Sequence, residues 1–156
     1  MLADRVRAEI QEHVAHARHP TAASVEALHV VQRHEGYVSD ENLREVAALL
    51  GTSPEVLDEV ASFYNLVFRR PVGRNVVLLC DSVSCWVMGC DRVRDALERE
   101  LGVPYGQITA DGEFTVLPMA CLGDCDHAPV LMIGEDTHRD VDPSAVGELL
   151  DRYRSR

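Results

Sequence analysis

Five cysteines carry the chemistry open to this sequence, and four of them fall into two pairs. Cys80 and Cys85 have four residues between them, Cys121 and Cys125 three, and the 35 residues 86–120 separate the pairs. Four thiolates converging from two segments form a metal-site or redox constellation. Structural zinc takes paired cysteines with roughly two to four intervening residues, most often two, so both pairs here are wide for it. A thiol–disulfide oxidoreductase wants Cys-x-x-Cys, and that spacing occurs nowhere. An iron–sulfur cluster also takes four thiolates, and a C-x4-C pair suits a [2Fe–2S] ferredoxin. Unliganded or regulatory thiols complete the set. Spacing favours the cluster, but it does not identify the metal.

The fifth cysteine, Cys90, lies on a helical face with Val93 and Leu97. That pattern reads as a small buried hydrophobe rather than a spare ligand. Trp86, the only tryptophan, adjoins Cys85 and reads as a packing residue or a shield between the site and water.

The elements that must position these thiols lie in the second half. Asn75–Cys80 is an apolar run with strand character that ends on a cysteine. A helix is expected from Trp86 to Leu101, and strands over Phe114–Pro118 and Pro129–Gly134, the last extending as a hairpin through His138 to Val141. A final helix follows Asp142-Pro143, with Val146, Leu149, Leu150 and Tyr153 inward. Both cysteine pairs then sit in loops at strand ends. The order strand, helix, strands, helix can sandwich a small sheet.

The first half has no cysteine and reads as helices. Leu2, Val6, Ile10 and Val14 share one face. Thr21 is the expected cap of a second helix that ends at Gly36. Ser39 and Ser53 cap two more, the latter followed by Pro54 at the first helical position. The expected architecture is α+β: a small helical bundle over residues 1–70, then an α/β domain over 71–156. Arg69, Arg70 and Arg74 fall at the junction and read as a solvated linker marked by Pro71 and Gly73. His13, His16 and His19 read as an exposed polar face, not a metal site.

Composition narrows the function. Fifteen basic against 26 acidic side chains leave a formal charge of −11, which disfavours phosphate-backbone binding. The helix after Ser53 would occupy the recognition position of a helix-turn-helix, yet PEVLDEVASFY carries acids and no basic or amide side chain to read bases. No apolar run approaches the ~18 residues of a membrane span. The charged start lacks the apolar core of a secretory signal, so a cytoplasmic protein is expected. The ten glycines form neither G-x-G-x-x-G nor a P-loop, so no nucleotide site is expected on this chain.

At this point the residues carry a resemblance. EGYVSDENLREVAALLG, EVASFYNLVFRRPVGRNV, LCDSVSCWVMGC, FTVLPMACLGDCDHAPVLMIGEDTH and ELLDRY resemble the E-type subunit family of bacterial NADH-quinone oxidoreductase, the [2Fe–2S] component of the peripheral arm of respiratory complex I. The likeness covers nearly the whole chain. Its C-x4-C, then C-x3-C within CLG-x-C-x-x-AP, is specific. The resemblance implies a helical domain followed by a thioredoxin-like domain that holds one [2Fe–2S] cluster through Cys80, Cys85, Cys121 and Cys125. It further implies a partner flavoprotein that binds FMN and NADH, and a place on the cytoplasmic side of the membrane, peripheral to it. The small subunit of an NAD-linked formate dehydrogenase or hydrogenase shares the ligand pattern. A zinc-stabilised interaction module without redox role is the alternative from another class.

A [2Fe–2S] centre held by four thiolates is already anionic, and reduction adds charge. Asp81, Asp124 and Asp126 flank the ligands and oppose that step, so a low potential is expected, against a plant-type reference of about −400 mV. Backbone N–H groups in the cysteine loops oppose the trend. Gly123 is a candidate for such a close approach, or an ordinary turn glycine. The helical half, free of this chemistry, is the expected docking part.

Overall fold

A computed structural model describes residues 1–154 and divides the chain into two compact units, Met1–Pro71 and the part from Val72 onward.

The first unit contains four helices: α1 (Asp4–His16), α2 (Ser24–Glu35), α3 (Asp40–Leu50) and α4 (Pro54–Phe63). Two begin as their sequences dictate. The Ser39 hydroxyl accepts the Asn42 N–H at 3.1 Å and the Ser53 hydroxyl that of Val56 at 3.3 Å, each satisfying one orphan donor of a helix start. Gly36 and Gly51 close α2 and α3 in the left-handed conformation that glycine adopts without steric cost. Thr21 is not a cap. Pro20–Ala23 form a 3-10 turn, and α2 starts only at Ser24, whose hydroxyl donates to the Thr21 carbonyl at 2.6 Å. Val6, Ile10, Leu28, Val31, Val46, Leu50 and Leu57 close over one another as this unit's core.

Arg69 is no solvated linker residue. Its side chain is only 22% exposed and bridges Asp40 and Asp58, each at 2.7 Å, while also donating to the Val38 carbonyl. It fastens the segment after α4 back onto α3 and α4. Arg74 pairs with Glu113, and Arg70 is exposed. His16 caps its own helix end by bonding the Glu12 carbonyl at 2.8 Å.

The second unit is a four-stranded mixed sheet ordered β2-β1-β3-β4, with β1 (Asn75–Cys80), β2 (Phe114–Met119), β3 (Leu131–Ile133) and β4 (Asp136–His138). β1 and β2 run parallel, from Asn75↔Phe114 to Cys80↔Met119. β3 is antiparallel to both β1 and β4. Alternation along the strands places Val77, Leu79, Phe114, Val116, Leu131 and Ile133 on one face. Helices α6 (Cys90–Leu101) and α7 (Val146–Arg154) cover that face together, rather than enclosing the sheet from both sides.

The helix expected from Trp86 to Leu101 is two helices. α5 (Val83–Val87) is a short one, and Gly89 at φ +96° separates it from α6. That left-handed residue breaks the ladder, and the Arg92 guanidinium lies over it. β3 is shorter than the apolar run Pro129–Gly134 because Pro129 has no N–H to donate to a ladder; the Ala128–Pro129 bond is cis.

Candidate metal centre

Parallel pairing of β1 and β2 decides where the chemistry falls. Both strands leave the sheet at the same end, so the loop after Cys80 and the loop after Met119 start side by side. The Asp81 N–H donates across to the Met119 carbonyl at 3.0 Å. In open α/β sheets, ligands bind beyond the carboxyl ends of such strands.

Cys80 ends β1, buried, and its N–H bonds the Val130 carbonyl at 3.1 Å. Cys85 is on the inner face of α5, 1% exposed. Cys121 and Cys125 lie on the exposed loop between β2 and the 3-10 turn Cys125–His127. All five thiols are free. Cys80, Cys85 and Cys90 form a small core of their own with Ala128 and Val130. Cys90 therefore packs as its periodicity indicates, but its neighbours are the site's cysteines rather than Val93 and Leu97 alone.

The thiols raise one another. Burial pushes the Cys85 thiol up to about 11, helped by the Cys80 thiol facing it. The Cys121 thiol raises that of Cys125. Burial also raises Cys90, with Asp91 and Asp81 adding to the effect. All four candidate donors are thiols, two from each of two loops that start side by side, and four thiolates are the donor set of a [2Fe–2S] cluster.

A donor aimed at sulfur is already in place. The Gly123 N–H donates to Cys121 Sγ at 3.3 Å, and Gly123 has φ +77°. It is both the turn glycine and the close-approach glycine. The Val130 backbone beside Cys85 and the Ser84 hydroxyl beside Cys125 pull those thiols down against the larger upward effects. Neither was evident in the sequence, because each depends on a neighbouring loop. Such hydrogen bonds favour the more negative state of a cluster. The acidic surround is weaker than the sequence suggests, since Arg139 pairs with Asp124 and holds its carboxyl below the usual range. Asp81 and Asp126 remain exposed. Trp86 is 62% exposed, so it is not a packing residue.

Residues 10–154 match the family described as thioredoxin-like [2Fe–2S] ferredoxin. The chain belongs to the thioredoxin-like [2Fe–2S] ferredoxin family. Membership gives it a [2Fe–2S] cluster as cofactor and electron carriage as its role. The E-type subunit of NADH-quinone oxidoreductase from Pseudomonas aeruginosa is 43% identical over 98% of this chain and 92% of its own length. Its counterpart from Escherichia coli K12 is 45% identical over 95% and 89%. At these identities and coverages the chain also belongs with these E-type subunits. An NAD+-reducing [NiFe]-hydrogenase in its H2-reduced state shares the fold, with a TM-score of 0.71 and 24% identity over 86% of this chain, but the match occupies 22% of the hydrogenase chain.

Proposed function

We propose that this chain is the one-electron carrier of an NADH-quinone oxidoreductase, its E-type subunit, with Cys80, Cys85, Cys121 and Cys125 holding its cluster. The observation that carries this reading is the meeting of both cysteine loops at one end of the β1–β2 pair, on a chain whose relatives are E-type subunits over nearly their whole length.

The cluster, when bound, supplies reversible one-electron exchange. The chain's own residues do the rest. The buried pair Cys80 and Cys85 anchors the site on the core, while Cys121 and Cys125 close it from the exposed loop. Gly123 donates its N–H to the Cys121 sulfur, while the Val130 backbone lies beside Cys85 and the Ser84 hydroxyl beside Cys125. Arg139 offsets the charge of Asp124 at the rim.

The partner is the flavoprotein that binds FMN and NADH, which releases as single electrons what it accepts as hydride. Among the described residues no helix is long and apolar enough to cross a membrane. The chain sits on the cytoplasmic side, peripheral to the membrane through its complex.

Anaerobic affinity purification through this chain tests the proposal. The expected companions are an FMN-containing, NADH-oxidising protein and quinone-reducing activity with membrane subunits. A molybdenum- or nickel-containing partner would instead place the chain in a formate dehydrogenase or hydrogenase, and a colourless zinc protein would overturn the redox reading.

A further inference from the structure

Helix α5 is amphipathic the wrong way round for a lone surface helix. Cys85 points inward at 1% exposure, whereas Val83, Trp86 and Val87 are 70%, 62% and 70% exposed. Their spacing of three and four residues puts them on one outward face. Met88, which follows the helix, is 56% exposed and extends the patch. A contiguous outward apolar patch built from Trp, Met and Val has the composition of an interface core.

The surroundings indicate what covers it. Asp81, just before α5, and Asp126, beside Cys125, are both exposed. The loop of Cys121 and Cys125 starts beside the segment that leads into α5, where the Asp81 N–H donates to the Met119 carbonyl at 3.0 Å. Of the nearby basic groups, Arg94 pairs with Asp91 and Asp95, Arg139 with Asp124, and His127 lies 3.5 Å from Asp126, which leaves Asp81 and, among the arginines, Arg92 over Gly89. Thiolates holding a cluster make the border more negative still. Electron exchange falls steeply with distance, so a redox partner must seat close to the sulfurs. Phe63, Tyr64 and Leu66 of the helical unit are exposed as well, but nothing beside them identifies an occupant.

We propose that the outward face of α5, centred on Trp86 and Val87, is the docking face for the redox partner, which presents an apolar recess bordered by lysines and arginines. This rests on the reading of the chain as an electron carrier and adds where the exchange takes place. The apolar centre supplies affinity, and the acidic border supplies steering and salt dependence.

The test titrates the full-length, cluster-bearing chain against a preparation of its complex that lacks this chain, at low and high ionic strength. Val87→Asp and Trp86→Ala are each expected to weaken binding at least tenfold with an unchanged visible spectrum. Wild-type affinity is expected to fall as salt rises. Val83→Asp, at the other end of the face, gives a second polar test, and Trp86→Ala adds no charge near the site. Binding within twofold of wild type for all three variants, with the spectrum intact, overturns the docking face while leaving the cluster assignment standing. Variants that alter the sedimentation of the chain alone, without changing its binding to the complex, would show that the face joins two copies and also overturn it. A wild-type chain without a cluster spectrum would instead overturn the carrier reading.

Discussion

Replacing Gly73 with alanine should destabilise the second unit far more than its place beside a proline in a connecting segment suggests. A Cβ at this position would lie 2.5, 2.7 and 2.8 Å from the backbone C, N and Cα of Phe114, where carbon contacts normally sit at about 3.5–4.0 Å. Phe114 is fully buried and starts β2, so it cannot swing aside as an exposed side chain would. Overpacking of this kind costs about 1–3 kcal/mol. Gly73 also donates its N–H to the buried Thr115 hydroxyl at 2.7 Å, and separating the strands would break that bond. A buried donor left unsatisfied adds about 1–3 kcal/mol. Together these give roughly 2–6 kcal/mol. For a domain of about this size each kcal/mol lowers the melting temperature by about 4–8 °C, so a fall of at least about 8 °C is expected. Gly112→Ala is the matched control: it has φ +74° but nothing within 4 Å of a built Cβ, so only the left-handed backbone penalty of about 1–2 kcal/mol applies. Thermal unfolding would be followed by far-UV circular dichroism and by cluster absorbance, and the two should fail together because β1 and β2 carry the cysteine loops. A Gly73→Ala melting temperature within about 2 °C of wild type, or above that of Gly112→Ala, would refute this reasoning.

Cys90→Ala should retain the visible and EPR spectra with a modest loss of stability, of order 1 kcal/mol for a small buried side chain, whereas Cys85→Ser should lose them; equal loss in both would make Cys90 part of the site. Ser84→Ala removes the hydroxyl beside Cys125 and, at about 0.5–1 kcal/mol for one hydrogen bond, should lower the reduction potential by roughly 20–40 mV, as read by an anaerobic dye-coupled titration; an unchanged or raised potential contradicts the assigned role. His138 should contribute acid sensitivity. Burial holds its pKa below the ordinary value against the pull of Asp136, so between that depressed value and about 6.5 the unfolded chain binds more protons and stability falls as the pH drops. His138 also bonds the Tyr153 hydroxyl at 2.8 Å, which in turn donates to Asp136 at 2.8 Å. His138→Gln should therefore lower the urea midpoint at pH 7.5 but shrink its further drop at pH 5.5; an equal or steeper drop in the variant counts against His138 as the titrating group.

Much of this was legible because local rules suffice for it. Ser39, Ser53-Pro54 and Gly51 mark their own helix ends, and the cysteine spacing marks out a candidate metal centre before any fold is known. The sequence misleads where a tertiary partner decides. Arg69 looks like a linker cation until Asp40 and Asp58 close on it. Gly73 looks like punctuation until Phe114 is placed against it. The break at Gly89 is missed because the apolar period of Cys90, Val93, Leu97 and Leu101 indicates a helix without marking where it starts. Trp86 shows the limit most clearly, since composition makes a lone tryptophan a core residue and only the inward turn of Cys85 forces it out. Val130 and Ser84 come to the thiols of Cys85 and Cys125 from segments adjacent only in three dimensions.

A metal count tests most directly whether Cys80, Cys85, Cys121 and Cys125 hold one two-iron cluster. Iron, acid-labile sulfide and zinc should be counted on anaerobically purified chain, with an EPR spectrum recorded after dithionite reduction. The expected result is about two irons and two sulfides per chain with a one-electron EPR signal, both lost in Cys121→Ser. About one zinc per chain, no sulfide and no signal on reduction would contradict it.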